Sequence, residues 1–166
     1  VGDALLTQAK AGIVDDSGPL TSTDVADLES RSVVWSASSY SLTGTGAELV
    51  GLPSDVLNNA DAIEATGDVN SAQANSLMRA ANDGATTIAN IVANAEEARG
   101  IQFDSNDVVA KLTVSGSFID DTINLSHFPL GTQIVFNGRV GGEAVILPEG
   151  LTDDTANTYN LSIDLD

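Results

Sequence analysis

The stretch from Ser41 to Leu52, SLTGTGAELVGL, passes from an extended segment directly into a helix. Tyr40 to Leu42 predicts a short strand, and Thr45 is typical of a residue that caps the start of a helix. Apolar residues then follow at helical spacing, at Ala47, Leu49, Val50 and Leu52. The stretch therefore predicts one strand followed at once by one helix.

The same order of elements returns further along the chain. An ungapped offset of 49 residues places Leu42 on Ile91 and Glu48 on Glu97. It also places the helix start at Ser22-Thr23-Asp24 on the predicted helix from 71 to 81, SAQANSLMRAA. Because such a unit cannot cover its own apolar face, the repetition predicts stacked units in a short solenoid.

Several further elements are predicted within the first hundred residues. Asn94 should cap a short helix from Ala95 to Arg99, and Gly67-Asp68 should turn the chain. The remaining predictions are a helix opening at Pro53-Ser54-Asp55 and extended segments at 32–36, 62–65 and 86–88.

From Ile101 onward the helical period disappears. Val108, Ala110, Leu112 and Val114 alternate with polar or small residues, which predicts a half-buried strand. Further strands are predicted at 133–136, 144–147 and 159–165, and Asn137-Gly138 is a strong hairpin signal. The predicted fold is thus α+β, with helix-strand repeats over residues 1–100 and a β-rich sandwich or roll over residues 101–166.

The charge balance excludes two classes of partner. The 166 residues include 24 Asp plus Glu and only 6 Lys plus Arg, for a net charge of −18. Such a surface repels phosphate backbones and anionic headgroups, so neither nucleic acid nor a membrane surface is an expected partner. No apolar run approaches the ~20 residues of a membrane span. Basic partners and cations remain.

Paired aspartates are the candidate metal ligands. Asp120-Asp121 and Asp153-Asp154 lie in predicted turns, where carboxylates and backbone carbonyls together offer the hard oxygen ligands that calcium prefers. The alternative is that both pairs are solvated turn residues. Calcium is the one cofactor that the sequence suggests.

Catalytic residues are not expected. His127, the only histidine, could join Ser126 or Ser117 and Asp120 or Asp121 in a hydrolytic triad, but no Gly-Xaa-Ser-Xaa-Gly motif accompanies it. A histidine satisfied within a loop is the simpler interpretation. Similarly, Trp35 and Tyr40 could form a sugar-stacking platform, or they could belong to the core.

The residues from Leu20 to Val69 resemble the tandem repeats of large secreted bacterial RTX-type adhesins and S-layer-like surface proteins. Two segments carry the resemblance, TGTGAEL at 43–49 and AIEATGD at 62–68. The second copy departs from the first motif, with VANAEE at 92–97, and the glycine-aspartate calcium nonapeptide of such proteins is absent. The resemblance covers about the first 100 residues and implies an extracellular, multi-repeat, mainly structural parent protein.

These observations favour a non-enzymatic structural or assembly module of a secreted bacterial surface or filament protein. It would act by stacking against neighbouring repeats or copies of itself, with calcium as a candidate stabiliser. Because the chain begins at Val1 rather than Met, we expect a processed product or a fragment. One alternative is an adhesin module that binds glycan or protein through residues 101–166, and another is an extracellular hydrolase using His127.

Overall fold

Short helices and short strands alternate along the chain. The computed structural model describes residues 14, 18–116, 118–119, 123–137, 140–141 and 145–146. The helices are α1 (Ser22–Glu29), α2 (Gly46–Val50), α3 (Ser54–Asn58), α4 (Ser71–Met78) and α5 (Ala95–Arg99), with a 3-10 turn at Trp35–Ala37. The strands are β1 (Ser41–Thr45), β2 (Ala62–Asn70), β3 (Thr86–Ala93), β4 (Val108–Val109), β5 (Lys111–Ser115), β6 (Phe118–Ile119), β7 (Ile123–Asn124), β8 (Gln133–Asn137), β9 (Val140–Gly141) and β10 (Val145–Ile146).

Six strands form one parallel sheet. Its order is β1-β2-β3-β5-β8, and β4 also pairs with β3. Paired residues lie 21 to 23 positions apart in sequence, as in Ser41 with Ala62, Ile63 with Thr86 and Leu112 with Ile134. The short pairs β6-β9 and β7-β10 are also parallel. The fold is therefore mixed α and β, with a parallel sheet as its main element.

Parallel pairing in this register stacks apolar side chains on one face of the sheet. Val69, Ile91, Leu112 and Ile134 occupy successive partner positions in β2, β3, β5 and β8, and each is essentially inaccessible to solvent. We call these four residues the apolar ladder. A second row, Ala93, Val114 and Phe136, runs beside it. Each side chain thus removes its neighbours from water, which is the main favourable contribution to folding.

Four helices begin with the same reciprocal cap. In α1, α2, α4 and α5 the cap side chain accepts a hydrogen bond from a backbone N–H three residues on, and that residue's side chain accepts from the backbone N–H of the cap. The pairs are Thr21 with Asp24, Thr45 with Glu48, Asn70 with Gln73 and Asn94 with Glu97. An apolar residue that faces the core follows each pair directly: Val25, Leu49, Ala74 and Ala98.

The helix caps explain the 49-residue offset. Thr21 and Asn70 are separated by that distance, and so are Thr45 and Asn94. Each 49-residue unit therefore contains two capped helix starts. In the strand register the step is shorter, because Leu42 pairs with Ile63 rather than occupying a position equivalent to Ile91.

The strand predicted at 32–36 is wrong. The chain turns after α1, with Ser32 at a φ of 56°, and then forms the 3-10 turn. The Trp35 indole N–H donates to the Glu29 carboxylate over 2.5 Å, and Trp35 is buried. The Val-Val-Trp run is apolar enough for a strand, but burial of the indole over α1 decides the local backbone.

Gly67-Asp68 does not turn the chain. Both residues lie inside β2, where the register with β3 shifts between Ala65 and Asp68. Gly67 has a φ of 72°, a conformation that glycine adopts without a steric penalty. The signal that predicted a turn therefore marks a β-bulge.

The predicted alternation at 108–114 is only partly correct. Leu112 and Val114 are buried, but Val108 is 47% exposed and Ala110 is also exposed, while Val109 is buried. The chain bends at Ala110, between β4 and β5. This bend changes which residues face the core, so a single unbroken alternation does not apply.

The predicted hairpin at Asn137-Gly138 is also wrong. A hairpin requires antiparallel strands, whereas β8 pairs with β5 and β9 pairs with β6, both in parallel. The sheet also continues past residue 100, since β3 pairs with β4 and β5. The buried cluster likewise includes residues on both sides of that position.

Neighbouring valines in β4 test the observed facing. We expect Val109→Ala to lower the free energy of unfolding by about 2 kcal/mol, because it removes two buried carbons and leaves a cavity. Val108→Ala, in the same strand, should cost less than about 0.5 kcal/mol because its side chain is exposed. Urea unfolding of both variants measures this, and the reverse order would support the predicted alternation instead.

Candidate functional site

A cleft lies between the segment after α5 and the loop before β8. It has a volume of about 480 Å³ and is lined by Phe103, Asp104, Ser105, Asp107, His127, Pro129 and Leu130. We call these seven residues the acidic-aromatic cleft. Two segments more than twenty residues apart form it, because the parallel register brings successive segments side by side.

Aromatic side chains form one wall of this cleft. The Phe103 and Phe128 rings lie 4.8 Å apart, and the His127 ring lies 4.9 Å from Phe128 and 5.9 Å from Phe103. Phe128 is buried, while Phe103 is half-buried and His127 is exposed. The two buried or half-buried rings therefore support an imidazole that faces solvent.

Histidine 127 is held against the end of a helix. Its Nε2 atom lies 3.2 Å from the carbonyl oxygen of Ala98, in the last turn of α5. A helix leaves its last carbonyls without intrahelical partners, and the protonated Nε2 can donate to one of them. This contact fixes the ring at the mouth of the cleft.

Acidic side chains form the opposite wall. Asp107 is only 8% exposed, and its Oδ2 accepts a hydrogen bond from the Asp104 N–H at 2.7 Å. Its Oδ1 accepts from the Thr86 N–H at 3.4 Å, which ties the loop to the start of β3. Burial raises the pKa of Asp107, although the two hydrogen bonds oppose the shift. The Asp104 carboxylate is exposed beside it.

The hydrolytic triad considered from sequence does not receive support from the described residues. The Ser126 hydroxyl donates to the Asn124 side chain at 2.7 Å, and the imidazole contacts Ala98. The other triad candidates, Ser117, Asp120 and Asp121, lie outside the described residues.

The candidate calcium ligands Asp120, Asp121, Asp153 and Asp154 all lie outside the described residues. Within the described ranges, His and acidic side chains form no group of three or more that could hold a metal ion. None of the helices in that part of the chain has the length and apolar character needed to cross a bilayer.

Trp35 and Tyr40 belong to the core. Both are buried, and their rings meet edge to face at 5.0 Å. The Tyr40 hydroxyl donates to the Val56 carbonyl at 2.6 Å, and burial raises the pKa of this phenol. The core interpretation is thus confirmed, and this pair offers no exposed platform for a sugar.

A polar row on the other sheet face was not predicted. Asn90 is buried; its amide donates to Asp68 at 2.6 Å and its carbonyl accepts from the Thr113 hydroxyl at 3.1 Å. These side chains link β2, β3 and β5 next to the apolar ladder. The cleft residues Phe103, Asp104 and Asp107 were also missed, because only an Asp-rich turn beside a phenylalanine marks them in sequence.

The chain matches no protein-family model, and comparison with curated proteins and with solved structures likewise yields no match.

Asp107 makes stability depend on pH. Because its pKa is raised, the folded protein keeps a proton on this carboxyl at pH values where the unfolded chain, with a pKa of about 3.9, has released it. The contribution of Asp107 to stability therefore falls as pH rises through the window between these two pKa values. We expect the free energy of unfolding of the wild type, relative to Asp107→Asn, to decrease from pH 4 upward.

Urea unfolding of both proteins at a series of pH values measures this difference. Parallel stability curves for the wild type and Asp107→Asn, or a difference that grows with pH, would contradict the raised pKa.

Proposed function

We propose that this chain is a non-enzymatic structural module in which successive strand-helix coils stack as a short solenoid. The observation that carries the proposal is the apolar ladder, whose members come from four strands that follow one another along the chain. A ladder of this kind grows by one side chain per coil, so each coil is stabilised mainly by its neighbours.

The surface charge supports a role in assembly outside the cell. Most described carboxylates are exposed, including Glu48 and Glu97 at the helix starts, and the net charge of the chain is −18. Together with the resemblance of residues 20–69 to RTX-type and S-layer-like repeats, this favours a secreted bacterial surface or filament protein. Its partners would be neighbouring repeats or further copies of the chain.

Calcium remains a proposed stabiliser of this module. The carboxylates of Asp120-Asp121 and Asp153-Asp154 are its proposed ligands, and bound calcium would also reduce repulsion within a strongly acidic chain.

A second function is a binding module of an adhesin, which recognises protein or glycan through residues 101–166. The observation that favours it is the acidic-aromatic cleft, since every residue that lines the cleft lies in this part of the chain.

Deleting a whole coil tests the stacking. Deletion of residues 64–86 joins Ile63 to Thr87, which takes the register position of Glu64. Because coils contact mainly their neighbours, we expect this variant to unfold cooperatively at a lower urea midpoint. Deletion of residues 71–81 removes only α4 and the chain after it, which should abolish cooperative unfolding although fewer residues are lost.

Circular dichroism during urea unfolding compares the two deletions. If the whole-coil variant is unfolded, or is no more cooperative than the half-coil variant, stacking of coils does not hold the fold together.

Solution mass tests assembly and calcium together. We expect sedimentation to show a mass that rises with protein concentration and with millimolar calcium, and a melting temperature that falls on addition of chelator. Replacing all four proposed ligands by Asn should remove the calcium response, while Asp27→Asn and Asp55→Asn, both exposed, should leave it unchanged. A monomer under all conditions would argue against subunit contact, and a melting temperature independent of calcium would remove calcium from the proposal.

A further inference from the structure

We infer that the acidic-aromatic cleft binds an arginine side chain presented by an extended segment of a partner protein. This inference rests on the second function above and names the chemistry of its ligand. Three properties of the cleft carry it: an exposed apolar lip, an aromatic wall and a carboxylate without a partner.

The lip is formed by Leu130 and the half-buried Pro129. Leu130 is 74% exposed, more than the other large apolar side chains described as exposed, Val34 and Val108. An isolated exposed leucine is ordinary, but this one borders a concave site that also contains Phe103. The lip and Phe103 together offer apolar surface to the aliphatic part of a long side chain.

The charged wall determines the sign of the ligand. Asp107 uses one oxygen on the Asp104 N–H and the other on the Thr86 N–H, so it orders the loop. The exposed carboxylate of Asp104 makes no side-chain hydrogen bond or ion pair among the described residues, and it therefore stays free for a cation. The net charge of −18 draws basic segments toward this surface before contact.

Arginine fits better than lysine or a small cation. A guanidinium is planar, so it can stack on an aromatic or imidazole ring while its N–H groups bind a carboxylate, and the exposed His127 ring faces the same cleft as Asp104. The nearest arginines along the chain are already engaged elsewhere: Arg79 donates to Gln102 and Arg99 to the Ala95 carbonyl. Neither lines the cleft, so the arginine must come from a partner.

Peptide binding tests the inference with the full chain. The probe is a fluorescent Leu-Arg-Leu peptide with blocked termini, and its control carries citrulline, which has the same shape without the charge. We expect the arginine peptide to bind more tightly than the citrulline peptide. Asp104→Asn should weaken arginine binding about three-fold and Leu130→Ser about five-fold, as expected for one exposed ion pair and one partly buried leucine.

Matched variants separate the cleft from general attraction to an acidic protein. Asp27→Asn removes the same charge from an exposed site on α1, and Val34→Ser removes an exposed apolar side chain elsewhere. Both should change the affinity less than two-fold, and circular dichroism checks that all four variants are folded. Equal binding of the citrulline peptide, equal losses in the control variants, or no binding at all would overturn the inference without affecting the stacking or self-association tests.

Discussion

The parallel register between β2, β3, β5 and β8 is the constraint on which the rest of the structure depends. It places Val69, Ile91, Leu112 and Ile134 in one buried ladder. A slip of one residue in any strand would turn its apolar residues toward solvent and its polar residues toward the core. The same register sets Asn90 between Asp68 and Thr113 on the opposite face, so both faces of the sheet favour one alignment.

The helices depend on this sheet. Each contains five to eight residues, which is too short for a stable isolated helix in water. Reciprocal caps satisfy the first backbone donors of four of them, and a buried residue such as Leu49 or Ala98 holds each against the core. Local capping thus determines where a helix begins, while packing on the sheet makes it persist. The cleft follows from the same arrangement, since the loop carrying Phe103 leaves α5 and the helix end fixes His127.

Individual elements were predictable where short-range chemistry decides them. Thr45 and Asn94 were identified as caps from residue type and position, and the structure confirms both. Prediction failed where distant contacts decide. Trp35 forms a 3-10 turn because its indole reaches Glu29 over α1, and Val108 faces solvent because the chain bends at Ala110. The hairpin signal at Asn137-Gly138 has the right local chemistry, but the neighbouring strands find parallel partners elsewhere.

The sequence by itself determined the alternation of strands and capped helices, the acidic surface and a periodic spacing of helix starts. These depend on contacts within about three residues and on composition. Only the tertiary structure decided that the strands are parallel, that their partners lie 21 to 23 residues apart and that Phe103 and His127 share a cleft. The physical reason is that a strand has no intrinsic preference for one partner. The choice is made by the total apolar surface that all strands and helices bury together, and no single segment of the sequence contains that sum.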